Sequence, residues 1–305
     1  MSRPDSPLAQ LLTWQDLDQA HLRELIRMAR DEDLAGTGFV NAPQSPADVT
    51  TSNFPIATNP GRADLKVREP LTVSGLLLAP LILQAYGNGS LKPYVQDGET
   101  VPEGTILGMV EGKPDSLLAS ERILLNFLQH LSGIATNTAT FIKALGDSST
   151  RLLDTRKTTP GYRALEKYAV ACGGGWNHRL GLWDRILIKD NHLGAFPSHN
   201  GDVLRQAVQL AREKNPDMVV EVEVDRLDQI PAVLDAGADC LLLDNFTPTQ
   251  IQKAIALVDG RAATEASGGI TLNTIGNFAH LGLDFISAGA LVHQSNWIDI
   301  GLDWK

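Results

Sequence analysis

The sequence predicts an α/β protein in which a small α+β domain with an antiparallel sheet precedes a parallel α/β barrel. Two observations carry this. After residue 145, apolar strand candidates and helical segments alternate about six times, the pattern of a parallel sheet with helical crossovers. No glycine-rich dinucleotide fingerprint follows the first of these strands, which favours a barrel over the alternative, an open doubly wound sheet.

Taken in order, residues 1–10 read as a disordered tail. From Thr13 to Arg30, Leu17, Leu22, Leu25, Ile26 and Ala29 recur at helical spacing, with Thr13 as the expected cap. A polar stretch rich in Gly, Pro, Asn and Thr runs from Gly36 to Pro60. Short runs at Leu65–Val67 and Ile106–Val110, with turns at Asp97-Gly98 and Glu103-Gly104, supply the antiparallel strands. A helix is expected from Ser116 through Leu131, where Leu117, Leu124, Leu128 and Leu131 form one stripe. The barrel strands are expected at 151–153, 185–188, 218–224, 239–243, 262–265 and 284–287. Helices are expected at 202–214, 227–236, 248–258 and 272–281.

Composition narrows the function. The chain has 305 residues, 43% of them apolar, with a formal net charge of −10, which argues against nucleic-acid and anionic-membrane partners. Cys172 and Cys240 are too few and too far apart for a disulfide framework, so they read as reduced thiols of a cytoplasmic protein. The N-terminus lacks the order of a signal peptide. The longest apolar run, Val73 to Leu83, is broken by Gly75 and Pro80, so no membrane span is expected.

Between Arg151 and His192 that acidic character inverts, with eight lysines and arginines against four acids. Such an inversion attracts anions to one place. Arg163, Glu166 and Lys167 sit at helical spacing and read as a salt-bridged surface. Arg156, Lys157, His178, Arg179 and Lys189 have no such local partners and read as an anion site. Arginine matches a carboxylate or phosphate in two parallel bonds, whereas lysine supplies a mobile point charge.

The run Cys172-Gly173-Gly174-Gly175-Trp176-Asn177-His178-Arg179 reads as a loop that lets main-chain N–H groups approach a ligand and aims His178 and Arg179 inward. Ser267-Gly268-Gly269 and Ala288-Gly289 read as phosphate cradles at helix N-termini. Glu221, Glu223 and Asp225 share one strand face, and Asp244 ends the next strand, so Glu223 and Asp244 can converge. Carboxylates without close cysteine or histidine ligands suit Mg²⁺ or ribose hydroxyls.

Four stretches carry a family resemblance: ASERILLNFLQHLSGIAT, DTRKTTPGYRALEKYAVACGGGWNHRLGLWDRILIKDNH, VEVEVDRLDQIPAVLDAGADCLLLDNF and EASGGITLNTIGNFAHLGLDFISAGALVH. Together they resemble the quinolinate phosphoribosyltransferases over about residues 119–293. Gly36 to Thr51 departs from the short acidic Gly-Asp-Thr segment usual in that family.

The resemblance implies an N-terminal open α+β sandwich, residues 1–133 with 290–305 returning to it, and an incomplete catalytic barrel, residues 134–289. It implies a homodimer in which Arg122 enters the partner's site. The implied reaction joins quinolinate and phosphoribosyl pyrophosphate, with Mg²⁺, into nicotinate mononucleotide, pyrophosphate and carbon dioxide. On that pattern Arg122, Arg156, His178 and Arg179 hold the two quinolinate carboxylates, while Lys157 and Lys189 lie between the substrates. Glu223 and Asp244 take ribose hydroxyls and Mg²⁺. Thr155, Ser267, Gly268, Gly269, Ser287, Ala288 and Gly289 complete the substrate contacts. The rivals are a homologue with another acceptor, such as the molybdenum-transport-associated branch, a Schiff-base aldolase using Lys157 or Lys189, and a non-catalytic anion-binding barrel.

Overall fold

A computed structural model describes residues 8–194 and 203–305. The chain divides into two compact units. One comprises Leu12–Ala139, Thr159–Gly174 and Ser295–Lys305; the other comprises Met1–Leu11, Thr140–Thr158 and Gly175–Gln294.

The first unit is the α+β one. Helix α1 (Gln19–Ala35) is capped by Asp18, whose carboxylate accepts the N–H groups of Ala20 and His21. Thr13 is not that cap. It heads a separate 3-10 turn at Trp14–Asp16, where its N–H and hydroxyl donate to the Asp16 carboxylate. The Gly36–Pro60 stretch stays irregular apart from a 3-10 turn at Thr51–Asn53.

Strand β1 (Gly61–Val67) is followed by β2 (Leu71–Thr72), helix α2 (Ala79–Tyr86), β3 (Ser90–Pro93), β4 (Thr100–Val101), β5 (Ile106–Gly112) and α3 (Pro114–Leu145). The sheet order is β12-β1-β5-β3, all antiparallel, with β12 (Ile300–Trp304) returning from the chain end to pair with β1. Ala63, Leu65, Val67, Leu107 and Val110 are buried from the sheet, and Leu22, Ile26, Ile82, Leu83 and Leu117 from the helices. Both predicted turns need glycine: Gly98 has φ 92° and Gly104 φ 83°.

Helix α4 (Arg163–Cys172) also belongs to this unit and corrects the sequence reading. Glu166 and Lys167 are not a salt-bridged surface; both are buried. Glu166 is bonded to His130 Nε2 at 2.8 Å and accepts the Thr159 N–H at 2.8 Å. Helical spacing told which residues are neighbours, but it could not tell which face of α4 is covered. Cys172 is half-buried at the end of α4, and burial raises its thiol pKa to about 11.

The second unit holds β6 (Arg151–Leu153), β7 (Ile186–Ile188), α5 (Asp190–Gly194), α6 (Val203–Lys214), β8 (Val220–Val224), α7 (Ile230–Asp235), β9 (Cys240–Asp244), α8 (Pro248–Val258), β10 (Ala263–Ser267), β11 (Phe285–Ser287) and α9 (Ala290–His293). Its six strands are all parallel, in the order β6-β11-β10-β9-β8-β7. Read round a circle, that is chain order with only the β6–β7 pairing absent, an incomplete α/β barrel. The gap is partly bridged, since Trp176 pairs with Leu153 and Gln10 with Asn177.

Two expectations fail here. Leu8, Ala9 and Gln10 are not a disordered tail: Leu8 and Ala9 are buried against Leu153, Cys240 and Phe285 and close the barrel's lower end. Residues 1–7, and Asp202 at the start of the predicted 202–214 helix, lie outside the described residues. The helix expected at 272–281 is only a 3-10 turn, Ile275–Asn277. Asn273, Thr274, Gly276 and Asn277 are poor helix formers, and they interrupt an apolar spacing that otherwise looked helical. Among the described residues, no helix is long and apolar enough to cross a membrane.

Candidate active site

The strand register decides which side chains share a face. Glu223 lies opposite Leu242 in β9, Leu242 opposite Glu265 in β10, and Asp244 opposite Ser267. Neighbours in a parallel sheet point the same way, so this face carries Glu221, Glu223, Leu242, Asp244, Glu265 and Ser267. Asp225, expected on it, falls beyond the end of β8 and is exposed.

Where these strands end is a cavity of about 750 Å³. Thr155, Arg156, Lys157, His178, Arg179, Lys189, Asp244, Ser267, Gly268, Gly269, Ser287, Ala288 and Gly289, all singled out from the sequence, line it together. Glu223 joins them through an ion pair to the Lys189 ammonium. Arg122 does not line this cavity. It is exposed on α3 and lines a second cavity, within the α+β unit, beside Glu32, Phe127, His130, Tyr162 and Trp297.

Each cation is held in a definite way. Asp154, at the end of β6 and fully buried, accepts the Asn177 amide at 2.8 Å and the His178 N–H at 2.8 Å. That anchors the turn from which His178 and Arg179 enter the cavity. Burial, and then the neighbouring Arg156, lower the Arg179 pKa, the mark of cations crowded for an anion. The Lys157 stem packs on Gly289, where a Cβ would come within 2.6 Å of Lys157 Cδ.

The glycines act differently from expectation. Gly173 and Gly174 spend their N–H groups on the end of α4, bonding Ala169, Val170 and Ala171. A Cβ at Gly173 would lie 2.4 Å from the Ala135 carbonyl oxygen, so close packing of α4 on α3 demands glycine there. At the cavity, Gly268 and Gly269 have φ 90° and 61°. A Cβ on Gly268 would strike Asn245 Oδ1 at 2.2 Å. The next element after Gly269 is the 3-10 turn at Ile275–Asn277, so the Ser267–Gly269 turn is not a cradle at an α-helix N-terminus.

Beneath the cavity, His178 belongs to a buried charged layer that the sequence reading did not bring together. His178 Nε2 stands 3.2 Å from Glu221 Oε2 and 3.4 Å from Glu265 Oε2. Arg185 Nη1 is 3.2 Å from Glu221 Oε2, and its Nη2 donates to the Leu8 carbonyl at 2.6 Å. Arg185 thus serves the floor rather than the anion site. Burial opposes ionisation of Glu221, but His178 and Arg185 outweigh it and lower its pKa. The alternation of acids with valines in β8 was the available signal for Glu221. Glu265 offered none beyond its place in a strand.

Comparison with known proteins agrees with this architecture. Residues 48–132 match the quinolinate phosphoribosyl transferase N-terminal domain, and residues 134–303 match its C-terminal domain. The chain belongs to the quinolinate phosphoribosyl transferase family. The nicotinate-nucleotide pyrophosphorylase [carboxylating] of Mycobacterium leprae is 40% identical over 287 residues, covering 92% of this chain and 96% of its own. The probable Bacillus subtilis enzyme of that name is 43% identical, covering 69% and 71%. Among solved structures, the nicotinate-nucleotide pyrophosphorylase of Francisella tularensis superposes with a TM-score of 0.86 at 35% identity, covering 97% of this chain and 99% of that one. NadC from Streptococcus pyogenes gives 0.84 at 35%, covering 95% and 99%. In this family frame the barrel cavity, with bases and carboxylates at its strand ends, is the candidate active site.

Proposed function

We propose that this protein transfers the phosphoribosyl group of phosphoribosyl pyrophosphate to quinolinate and releases carbon dioxide, giving nicotinate mononucleotide for NAD biosynthesis. The observation that carries this is the gathering, in one cavity of a chain of this family, of Arg156, Lys157, Arg179 and Lys189 with Asp244 and the Ser267–Gly269 turn.

Arg156 and Arg179, with His178 beside them, receive the two carboxylates of quinolinate. Each charge-assisted hydrogen bond contributes roughly 1.5–3 kcal/mol, so a few offset the desolvation of a dianion. Lys157 and Lys189 sit between the two substrates. The Ser267–Gly269 and Ser287–Gly289 turns, with Thr155, take phosphate groups. The ring nitrogen of quinolinate attacks the anomeric carbon, and the bond to pyrophosphate breaks with its electron pair. Glu223 and Asp244 favour the positive charge that builds on the ribose. Holding both substrates in line lowers the barrier further. The positive charge on the alkylated ring nitrogen then stabilises the electron pair left on the adjacent ring carbon as its carboxylate departs as carbon dioxide, and that carbon takes a proton from solvent.

Glu223 and Asp244 also fit Mg²⁺. They are carboxylate donors on one sheet face, partly open to water, the kind of oxygen ligand Mg²⁺ takes. A bound Mg²⁺ would neutralise charge on the pyrophosphate.

We place the enzyme in the cytoplasm as a homodimer; its cysteines are both free thiols. Arg122 is exposed and lines no part of the barrel cavity, which supports its service to a second subunit. Mixing inactive Arg122→Ala and Lys157→Ala proteins tests this, because hybrid dimers regain one intact site and partial activity returns. No return of activity sinks the shared site.

The reaction is tested by incubating the protein with phosphoribosyl pyrophosphate, Mg²⁺ and either quinolinate or nicotinate. Nicotinate mononucleotide and carbon dioxide are expected from quinolinate alone. Use of nicotinate instead would assign a different acceptor.

A further inference from the structure

Below the anion-binding cations, His178 has both ring nitrogens committed within the protein. Nδ1 accepts the Arg179 N–H at 2.7 Å. A ring nitrogen that accepts carries no proton, so the imidazole proton lies on Nε2. Nε2 in turn faces the Glu221 and Glu265 carboxyls. These belong to β8 and β10, two strands apart in a sheet with about 4.8 Å between neighbours, yet they converge on one nitrogen.

The two carboxyls are not equivalent. Glu221 is answered by Arg185. Glu265 is 1% exposed, lines the floor of the cavity, and neither of its oxygens completes a hydrogen bond among the described residues. A fold keeps a buried, unsatisfied carboxyl where it serves a purpose. Burial, and then Glu221, raise the Glu265 pKa, so the two carboxyls facing Nε2 differ in their readiness to ionise. Burial disfavours charge on His178, but Glu221 and Glu265 outweigh it and raise its pKa. The Arg179 N–H opposes them, because a second proton can enter Nδ1 only if that bond breaks. A divalent cation is the rival occupant of these three groups, but the Arg185 guanidinium already occupies Glu221.

We propose that Glu265 is a positioning residue. With Glu221 it locks His178 as the Nε2–H tautomer, whose Nδ1 fixes the Arg179 main chain and so aims the Arg179 guanidinium at a quinolinate carboxylate. This rests on the quinolinate reading of the cavity.

The test is nitrogen NMR of the full chain carrying ¹⁵N-histidine, with the His178 signals identified by their loss in His178→Asn. Nδ1 stays unprotonated and Nε2 protonated, both without ligand and with quinolinate alone. In Glu265→Leu that pattern is lost, and the KM for quinolinate rises about tenfold, the equivalent of one hydrogen bond. The KM for phosphoribosyl pyrophosphate does not change. Glu265→Gln keeps a polar oxygen facing Nε2–H and restores most of the loss. A proton arriving on Nδ1 when quinolinate binds overturns the proposal, as does an unchanged quinolinate KM in folded Glu265→Leu. If Glu265→Leu does not fold, the wild-type spectra decide. Failure of the wild type to make nicotinate mononucleotide refutes the reaction but leaves the substrate-free tautomer measurement standing.

Discussion

Among the described residues, two histidines meet buried glutamates, and the two pairs are built to different standards. In the α+β unit, His130 Nε2 meets Glu166, whose second oxygen takes the Thr159 N–H, so both oxygens of that carboxylate are used. In the barrel unit, His178 faces two carboxyls, and Glu265 is left without a completed hydrogen bond. A satisfied carboxylate is what a fold needs for stability. An unsatisfied one, under a cavity full of cations, is what a site retains for its ligand. The first pair stabilises; the second orients.

The largest effect expected from that contrast is catalytic. Lys157→Ala and Arg179→Ala each lose on the order of a hundred- to a thousandfold in kcat, as removal of a preorganised charge at a transition state does. Their unfolding midpoints stay near that of the wild type. Steady-state assays with circular dichroism melts check both halves of the statement. Normal turnover in either variant removes that residue from the site.

Gly173→Ala reverses the signature. The new Cβ would meet the Ala135 carbonyl oxygen at 2.4 Å and Thr138 Cβ at 2.6 Å, both on α3. Since a backbone carbonyl cannot move aside cheaply, a loss of about 1–3 kcal/mol is expected. Urea unfolding measures it. If Gly173 served a ligand instead, stability would hold and KM would rise.

The same contrast explains what was legible in the sequence. The barrel strands alternate with helices so regularly that strand ends, and hence most cavity residues from Arg156 to Gly289, could be read from spacing and charge, whereas Thr155 and Ser287 came only with the family resemblance. Glu166, Lys167 and Leu8 could not. Each depends on what covers it: α4 presents Glu166 inward, and Leu8 and Ala9 pack as an apolar plug at the barrel's lower end. Local patterns report periodicity, whereas burial of a charged helix face is decided by tertiary packing. Glu265 was illegible for a similar reason, since its meaning comes from β8 and β10 curling towards one imidazole.

The smallest effect expected concerns pH and tests the satisfied pair. Burial works against ionisation of Glu166, but its bonds from His130 and Thr159 outweigh burial and hold its pKa below the usual 4.5. A carboxyl with a depressed folded pKa contributes stability above its unfolded value and loses it as pH falls through the folded one. Glu166→Gln keeps an oxygen for the Thr159 N–H but gives up the charge on the His130 bond. It therefore melts below the wild type at pH 7, by about 1 kcal/mol for the weakened bond. As pH drops below 4.5 the wild type gives up the same advantage and the two melting curves converge. A gap that persists unchanged in acid would mean that ionisation of Glu166 does not support the fold.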